Sequence, residues 1–304
     1  MIKRIIPALI CVSLVFGPSA AAFQQKHLDV PYVPTKYPVV DEMLRMAGVQ
    51  KGDIVYDLGC GDGRIVVTAA QRFGAKGVGF DIDPERIGES KENAAKAGVT
   101  GLVTFHEQDL FTADFREASV MTLYLLTSVN LKLRPKLLRE LRPGTRVVSH
   151  NFGMGEWKSD QSSSVDVEDI SHEVYLWILP ANVSGTWTWT MDKPAVKAEM
   201  QLDQIFQFPT GKATVGGKIM EIKDLALKGD KIRFILEQPY KEKIASMVFE
   251  GKADGHAING TIKFQSAGQD VVWEWKARRN PATEKPIDIE GTKSHSWPFT
   301  MKRS

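Results

Sequence analysis

The chain has 304 residues, of which 43% are hydrophobic and 25% are charged. This is the composition of an ordinary globular protein, and the length is sufficient for two modest domains. A formal net charge of only +2 argues against a general nucleic-acid binder, so we expect no nucleic-acid partner.

The N-terminus has the pattern of a secretory signal peptide. Two basic residues precede an apolar run over residues 5–16, and small residues follow up to Ala22. The run is too short to span a bilayer comfortably, so we expect cleavage near Ala22, export to the periplasm or the medium, and no stable membrane anchor. Removal of residues 1–22 leaves 37 basic and 37 acidic residues, and Cys60 as the single cysteine, so no internal disulfide is expected.

From residue 38 to about residue 180, predicted helices and strands alternate. Apolar residues at helical spacing predict helices, and continuous apolar runs predict strands that are buried on both faces. The predicted helices are 38–47, 62–73, 84–97 and 131–141, and the predicted strands are 53–58, 77–81, 102–107, 118–126, 144–152 and 173–179. This order predicts an α/β domain with a doubly wound, Rossmann-like sheet that binds its ligand at the carboxyl ends of the strands.

After Pro180 the helical patterns end and period-two alternation begins, as in the segment 183–189. Turn dipeptides such as Asn259-Gly260 separate seven or eight short apolar runs, which predicts a small antiparallel β-barrel or β-sandwich. We therefore predict a signal peptide over 1–22, an α/β domain over 23–180, a β-domain over 181–279 and a tail over 280–304, with Trp297 and Phe299 available to pin the tail to a surface.

The most informative motif is the turn after the first predicted strand, which runs from Asp57 to Gly63 (DLGCGDG). Its three glycines allow the backbone to approach a ligand without an intervening Cβ, and the amides at the start of the following helix face the same gap. The spacing is G-x-G-x-G, which differs from the G-x-G-x-x-G of dinucleotide-binding turns. The turn therefore predicts a small-molecule site of another kind.

Carboxylates follow the next two predicted strands. Asp81 ends the second strand, 24 residues after Asp57, where a carboxylate can bind both hydroxyls of a ribose. Asp109 and Leu110 follow the third strand and suit the edge and the face of an adenine ring. Alternatively, Asp81 belongs to a helix cap before Pro84, and Asp109 is a turn residue.

These three segments together resemble class I S-adenosylmethionine-dependent methyltransferases. The resemblance implies that S-adenosyl-L-methionine is the cofactor and that the turn lies along its methionine moiety. It also implies that Asp81 binds the ribose and that Asp109 binds the adenine amino group. The implied cofactor-binding residues in these segments are Asp57, Gly59, Gly61, Asp62, Gly63, Asp81, Asp109 and Leu110.

The segment after the fourth predicted strand bears on the methyl acceptor. Methyltransferases that act on amide or nucleobase nitrogens usually have an Asn/Asp-Pro-Pro-aromatic turn here, whereas this chain reads Tyr124-Leu125-Leu126. No run of acids and histidines suggests a metal site, so we expect no metal. A lysine amine needs few catalytic side chains, because desolvation lowers its pKa from about 10.4 and the free amine attacks well.

A narrower resemblance covers residues 30–157. The segments 31–35, 57–64, 123–126, 133–137 and 144–150 are similar to those of small archaeal protein-lysine methyltransferases and of the mitochondrial enzymes that methylate a lysine of the ATP-synthase rotor-ring protein, the c subunit. The resemblance implies a protein lysine as acceptor. It also implies that Tyr32 and Thr35 close over the cofactor, and that Tyr124 lines the methyl-transfer channel.

Trp157 is the second side chain that we assign to the acceptor channel, through cation–π contact with an incoming lysine. Both aromatic residues have simpler explanations, since Tyr124 can pack at a strand end and Trp157 can pack under a lid. Asn130 is expected to cap the helix that follows it, and His150 to be a structural histidine. A nucleophilic role for Cys60 is not expected.

Two other functions remain open at this stage. In the first, the same enzyme methylates a small molecule or lipid that the β-domain delivers to the site. In the second, the α/β part is a scaffold without activity and the β-domain binds a partner. The tryptophans at 187, 189, 273 and 275 favour neither, because aromatic residues of small β-domains usually form the core. An exported enzyme would also need S-adenosylmethionine from outside the cytosol.

Overall fold

The computed structural model describes residues 32–192, 195–240, 243–266 and 269–289. The predicted signal peptide at 1–22 and the two aromatic residues predicted to pin the tail, Trp297 and Phe299, lie outside these residues. Within the described part of the chain, no helix is both long and apolar enough to cross a membrane.

The first half of the chain forms a seven-stranded sheet with four helices. The helices are α1 (Tyr37–Met46), α2 (Arg64–Phe73), α3 (Pro84–Lys96) and α4 (Thr127–Glu140), and the strands are β1 (Ile54–Leu58), β2 (Lys76–Asp81), β3 (Val103–Glu107), β4 (Val120–Leu123), β5 (Arg146–His150), β6 (Gln161–Val167) and β7 (Ile170–Ile178). The strand order is β3-β2-β1-β4-β5-β7-β6. The first five strands are parallel, whereas β7 runs antiparallel to both β5 and β6. The predicted Rossmann-like α/β fold is confirmed.

Helices cover both faces of this sheet, as the apolar strands require. Val148 of β5 belongs to the core under α1 and α2, whereas the preceding Val147 belongs to the core under α4. Adjacent strand residues point to opposite faces, so a strand buried on both sides must be apolar at successive positions. The chain order reverses between β1 and β4, and the carboxyl ends of these strands therefore border a crevice.

The second half forms one antiparallel sheet of nine strands. They are β8 (Gly185–Asp192), β9 (Ala195–Ile205), β10 (Phe208–Val215), β11 (Lys218–Glu221), β12 (Lys223–Lys228), β13 (Lys231–Tyr240), β14 (Lys243–Asp254), β15 (Ala257–Ser266) and β16 (Gln269–Arg279). The order is β11-β10-β9-β8-β16-β15-β14-β13-β12, and the two ends of the sheet approach each other, so the sheet nearly closes into a barrel. Its interior is packed with apolar side chains, among them Trp187, Phe234 and Trp275. The predicted all-β region after Pro180 is confirmed.

The two sheets share a core at one point. Phe206, in the β9–β10 turn, is 1% exposed and belongs to the same apolar cluster as Leu133 of α4 and Trp177 of β7. The first part of the predicted tail also packs here, since Asp288 pairs with Ile205 and the Ile289 carbonyl accepts a hydrogen bond from Arg134. The barrel therefore completes the cover of the face of the sheet beside α4.

Four features differ from the sequence-based expectation. The fourth strand ends at Leu123, so Tyr124 lies beyond it, and α4 begins at Thr127 instead of 131. Strand β6 was not expected, because its sequence QSSSVDV is polar and it lies at the sheet edge, where burial does not demand apolar residues. The barrel has nine strands where seven or eight were expected.

Candidate active site

The glycine turn between β1 and α2 has the backbone conformation that its sequence requires. The φ angles are 74° at Gly59, 54° at Gly61 and 74° at Gly63, all in the left-handed region that side chains disfavour. A Cβ at Gly61 would collide with the ring of Tyr32, and a Cβ at Gly63 would lie 2.6 Å from Cε1 of Phe105. Glycine is therefore needed at these positions for both conformation and space.

Two carboxylates lie at the glycine turn, and one of them is hydrogen-bonded to it. The carboxylate of Asp81, at the end of β2, accepts hydrogen bonds from the amides of Gly61 (2.8 Å) and Asp83 (2.9 Å). The carboxyl of Asp57, at 2% exposure, accepts a hydrogen bond of 2.8 Å from the hydroxyl of Thr122. Burial, with the nearby charges of Asp81 and Asp62 adding to it, raises the pKa of Asp57 from 3.8 to about 7.

Residues before α1 lie over the turn. The guanidinium of Arg64 binds the Asp62 carboxylate through two nitrogens, at 2.9 and 2.7 Å, and donates a third hydrogen bond of 2.9 Å to the Thr35 carbonyl. The guanidinium of Arg86 lies 4.7 Å from the ring centroid of Tyr32, within cation–π range. These contacts place Tyr32 and Thr35 against the glycine turn.

The turn, the first described residues and the loops after β2, β3 and β4 enclose a cavity of about 270 Å³. All the predicted cofactor-binding residues except Gly63 line it, as does Tyr124. Gly63 lies just behind, as the N-cap of α2. Asp109 both lines the cavity and closes a turn, since its carboxylate accepts a hydrogen bond of 2.9 Å from the Phe111 amide.

This set of groups fits S-adenosylmethionine. Asp81 engages two backbone amides, yet a carboxylate has about four acceptor positions, so it can still accept hydrogen bonds from two ribose hydroxyls. Asp109 would bind the adenine amino group, with Leu110 and Phe111 beside it as apolar lining.

At the far end of the cavity, Tyr124 forms an aromatic stack with His150. The two ring centroids are 3.8 Å apart and the planes differ by 28°. His150 is 1% exposed; its Nδ1 lies 3.2 Å from the hydroxyl of Thr35 and its Nε2 lies 2.9 Å from Nδ1 of His172. Burial, followed by the proximity of His172, lowers the pKa of His150 from 6.5 to about 4, so the ring is neutral at physiological pH.

Trp157 does not line the cavity, so the prediction that it forms part of the acceptor channel is wrong. It is 1% exposed, stacks on Phe206 with ring centroids 5.8 Å apart, and donates its indole N–H to Gln207 at 2.9 Å. These partners hold the ring in the core between the two sheets, away from any incoming side chain.

Two other expectations are settled by the hydrogen bonds around α4 and the turn. Asn130 is not a helix cap, because α4 begins three residues earlier; it is buried, and its amide donates to the Phe152 carbonyl at 3.0 Å. Cys60 lines the cavity, but burial raises the pKa of its thiol, as does the charge of Asp57, so the thiol stays protonated.

Residues that the sequence analysis gave no role also belong to the site. Arg64 and Arg86 hold the N-terminal segment, and Phe80 and Ile82 contribute apolar lining on either side of Asp81. The position of Arg64 directly after the glycine turn was the sequence feature that could have indicated its role. His150 was expected to be structural, and it proves to be both buried and in contact with the tyrosine that lines the cavity.

The role of Asp81 is testable by replacement with alanine. We expect Asp81→Ala to weaken S-adenosylmethionine binding at least tenfold, or about 1.4 kcal/mol, because the loss removes a carboxylate at the ribose position and an anchor of the glycine turn. Isothermal titration calorimetry measures the affinity, with circular dichroism as the check on folding. The exposed Asp114→Ala is the matched control; equal affinities for the two variants would contradict the assignment.

The pKa of His150 predicts a pH dependence of stability. Between pH 6.5 and 4 the unfolded chain binds a proton at this residue that the folded chain does not, so the free energy of unfolding falls on acidification through this window, by about 1.4 kcal/mol for each unit of pKa shift. Denaturant titrations at pH 6.5 and pH 4 should show a smaller loss for His150→Gln than for the parent. The exposed His106→Gln is the control, and identical losses in parent and His150→Gln would refute the prediction.

Comparison with known proteins agrees with this geometry. Residues 57–161 match the model of the ANTKMT methyltransferase domain. A protein-lysine N-methyltransferase from Saccharolobus islandicus is 50% identical over 151 residues, which are 49% of this chain and 94% of that protein. The human lysine N-methyltransferase of the ATP synthase c subunit is 30% identical over 141 residues, 46% of this chain and 60% of that protein.

A solved structure, described as an RNA methyltransferase from Salinibacter ruber in complex with S-adenosyl-L-homocysteine, is 54% identical. The match covers 50% of this chain and 96% of that chain, with a TM-score of 0.47. The cavity carries the carboxylates and glycine turn of a cofactor site, and nearly the whole archaeal relative aligns to half of this chain. The chain therefore belongs to the protein-lysine N-methyltransferase family of S-adenosylmethionine-dependent methyltransferases.

Proposed function

We propose that this protein transfers a methyl group from S-adenosylmethionine to the side-chain amine of a lysine in a protein. The observation that carries the proposal is the apolar end of the cavity, where Tyr124, Leu125 and Val129 form the lining. The archaeal and human relatives named for protein-lysine methylation support the same acceptor.

The lysine chemistry makes two demands on this end of the cavity. The aliphatic stem needs an apolar wall, and the amine must arrive as the free base, which desolvation favours by lowering its pKa. Tyr124 supplies an aromatic wall, and the ring stacked behind it, His150, is neutral at physiological pH. A neutral ring does not repel the incoming ammonium, whereas a histidinium would.

When bound, S-adenosylmethionine supplies a methyl group on a positively charged sulfur. The chain positions the reactants and excludes water, because a displacement at carbon needs the attacking nitrogen in line with the bond that breaks. Tyr32 and Thr35 close the cavity from the N-terminal side, and Arg64 and Arg86 fix that segment. The released proton goes to solvent, since a lysine amine requires no dedicated base once it is desolvated.

The acceptor is testable by radiolabelling. We expect tritiated S-adenosylmethionine and poly-L-lysine to give labelled methyl-lysine, at a rate that rises from pH 7 to pH 9 as the free-amine fraction grows. Acid hydrolysis and chromatography identify the labelled amino acid. RNA, small molecules and lipid are supplied in parallel reactions. Label found only in one of these, and not in lysine, would contradict the proposed lysine acceptor. Absence of label with tight cofactor binding would favour a non-catalytic role.

The role of Tyr124 is testable separately. We expect Tyr124→Ala to lower turnover about tenfold or more because it removes the channel wall, while the cofactor affinity changes less than about twofold. Tyr124→Phe keeps the ring and should retain most of the activity, which makes it the matched control. Equal activity of Tyr124→Ala and the parent would contradict the assignment, as would a loss of cofactor affinity as large as the loss of turnover.

A further inference from the structure

The turn between β9 and β10 has an unusual sequence for its shape. It is a two-residue turn, Phe206-Gln207, and Phe206 has a φ of 47°. Tight hairpins prefer glycine, asparagine or aspartate where φ is positive, and an aromatic residue there is strained. Such strain persists only where surrounding contacts enforce the conformation, and it often marks a functional position.

The side chains of this turn contact residues outside the barrel. Phe206 stacks on Trp157 with the ring planes 8° apart, and Gln207 is hydrogen-bonded twice to the same segment: its Oε1 accepts from the Trp157 indole, and its Nε2 donates to the Lys158 carbonyl at 2.8 Å. Gln207 is only 5% exposed, so both bonds are shielded from water. The turn therefore fixes the position of residues 157–158.

Residues 157–158 belong to a loop that reaches the acceptor end of the cavity. It is the loop 151–158 that follows β5, and it is fixed at Met154 by Arg134 (2.8 Å to the carbonyl) and at Phe152 by Ser149 (2.6 Å to the carbonyl). The ring of Phe152 lies 6.0 Å from the ring of Tyr124 in a stacked arrangement. A continuous set of packed and hydrogen-bonded groups therefore connects the barrel turn to the side chain that lines the methyl-transfer channel.

Arg134 ties the same parts together from α4. Besides the Met154 carbonyl, its guanidinium donates to the Ile289 carbonyl at 3.0 Å and lies 5.3 Å from the ring centroid of Phe206. One side chain thus contacts the loop, the barrel turn and the segment after the barrel. The residues that fix the loop lie apart from the cofactor cavity, because none of Phe206, Gln207 and Arg134 belongs to its lining.

We propose that the barrel positions the acceptor side of the active site, with Gln207 as a positioning residue that acts through Trp157 and the loop 151–158 on Tyr124. The expected effect on turnover rests on the proposed function, whereas the contact between Gln207 and the loop 151–158 does not. The chemistry that depends on Gln207 is alignment of the amine with the methyl group, whereas capture of the cofactor is independent of it.

The test compares Gln207→Met with the parent. The variant keeps the size of the side chain and loses both hydrogen bonds to residues 157 and 158. With poly-L-lysine as acceptor, we expect kcat/KM for the acceptor to fall about tenfold and the Kd for S-adenosylmethionine to change less than about twofold. Gln207→Glu retains an acceptor for the Trp157 indole, so it should recover part of the activity.

Phe234→Leu is the control for a general loss of stability. Phe234 is fully buried in the barrel interior, against Phe249 at 4.5 Å between centroids, and it belongs to the barrel core and not to the cluster that holds Trp157. We expect it to lower the melting temperature at least as much as Gln207→Met, with parental kinetics. Loss of turnover in Phe234→Leu equal to that in Gln207→Met would overturn the proposal, because the effect would then follow stability alone.

Hydrogen–deuterium exchange provides a readout that needs no acceptor. Amides of the loop 151–158 should exchange faster in Gln207→Met than in the parent, with those of the glycine turn unchanged. If the parent methylates no lysine, the proposed function is wrong, but this measurement still tests whether Gln207 fixes the loop 151–158. Unchanged exchange in the loop, or unchanged turnover in an active Gln207→Met enzyme, would refute the role of Gln207.

Discussion

The hydrogen bond from the Gly61 amide to the Asp81 carboxylate joins the carboxyl ends of two neighbouring parallel strands. It fixes a turn whose left-handed glycines leave room for a ligand, and it sets the carboxylate that faces that ligand. The N-terminal segment then packs on the turn, because Arg64, which is paired with Asp62 of the turn, donates to the Thr35 carbonyl and Arg86 lies over the ring of Tyr32. The geometry of the cofactor site depends on this contact, together with the two hydrogen bonds that the Phe80 carbonyl accepts from the amides of Gly59 and Cys60.

The site has two sides that differ in how they are held. The cofactor side is polar and is fixed by backbone amides and carboxylates within the first 110 residues or so. The acceptor side is aromatic, and its support reaches from Tyr124 through Phe152 and Trp157 into the barrel. A methyltransferase can therefore keep one side for its cofactor and remodel the other for a different acceptor.

The carboxylates of the cofactor side could be predicted from sequence because they lie at or just after the ends of neighbouring strands, whereas Tyr32 and Thr35 were assigned through the family resemblance. Asp57, Asp81 and Asp109 meet because parallel strands end at the same edge of a sheet. The position of Trp157 could not be predicted, since its partner Gln207 lies 50 residues away in a region of different periodicity. The polar edge strand β6 was missed for a related reason, as its pairing with β7 replaces the burial that periodicity detects.

The shared core around Phe206 also has an evolutionary consequence. Deleting the barrel from this chain would remove Phe206 and Gln207 from Trp157, and exposed aromatic surface promotes aggregation. A shorter ancestor or descendant is therefore expected to carry a smaller or more polar residue at position 157, or to cover it with another segment. Gain or loss of the barrel thus requires compensating changes in the methyltransferase half, where Trp157, Lys158 and Arg134 contact the barrel turn.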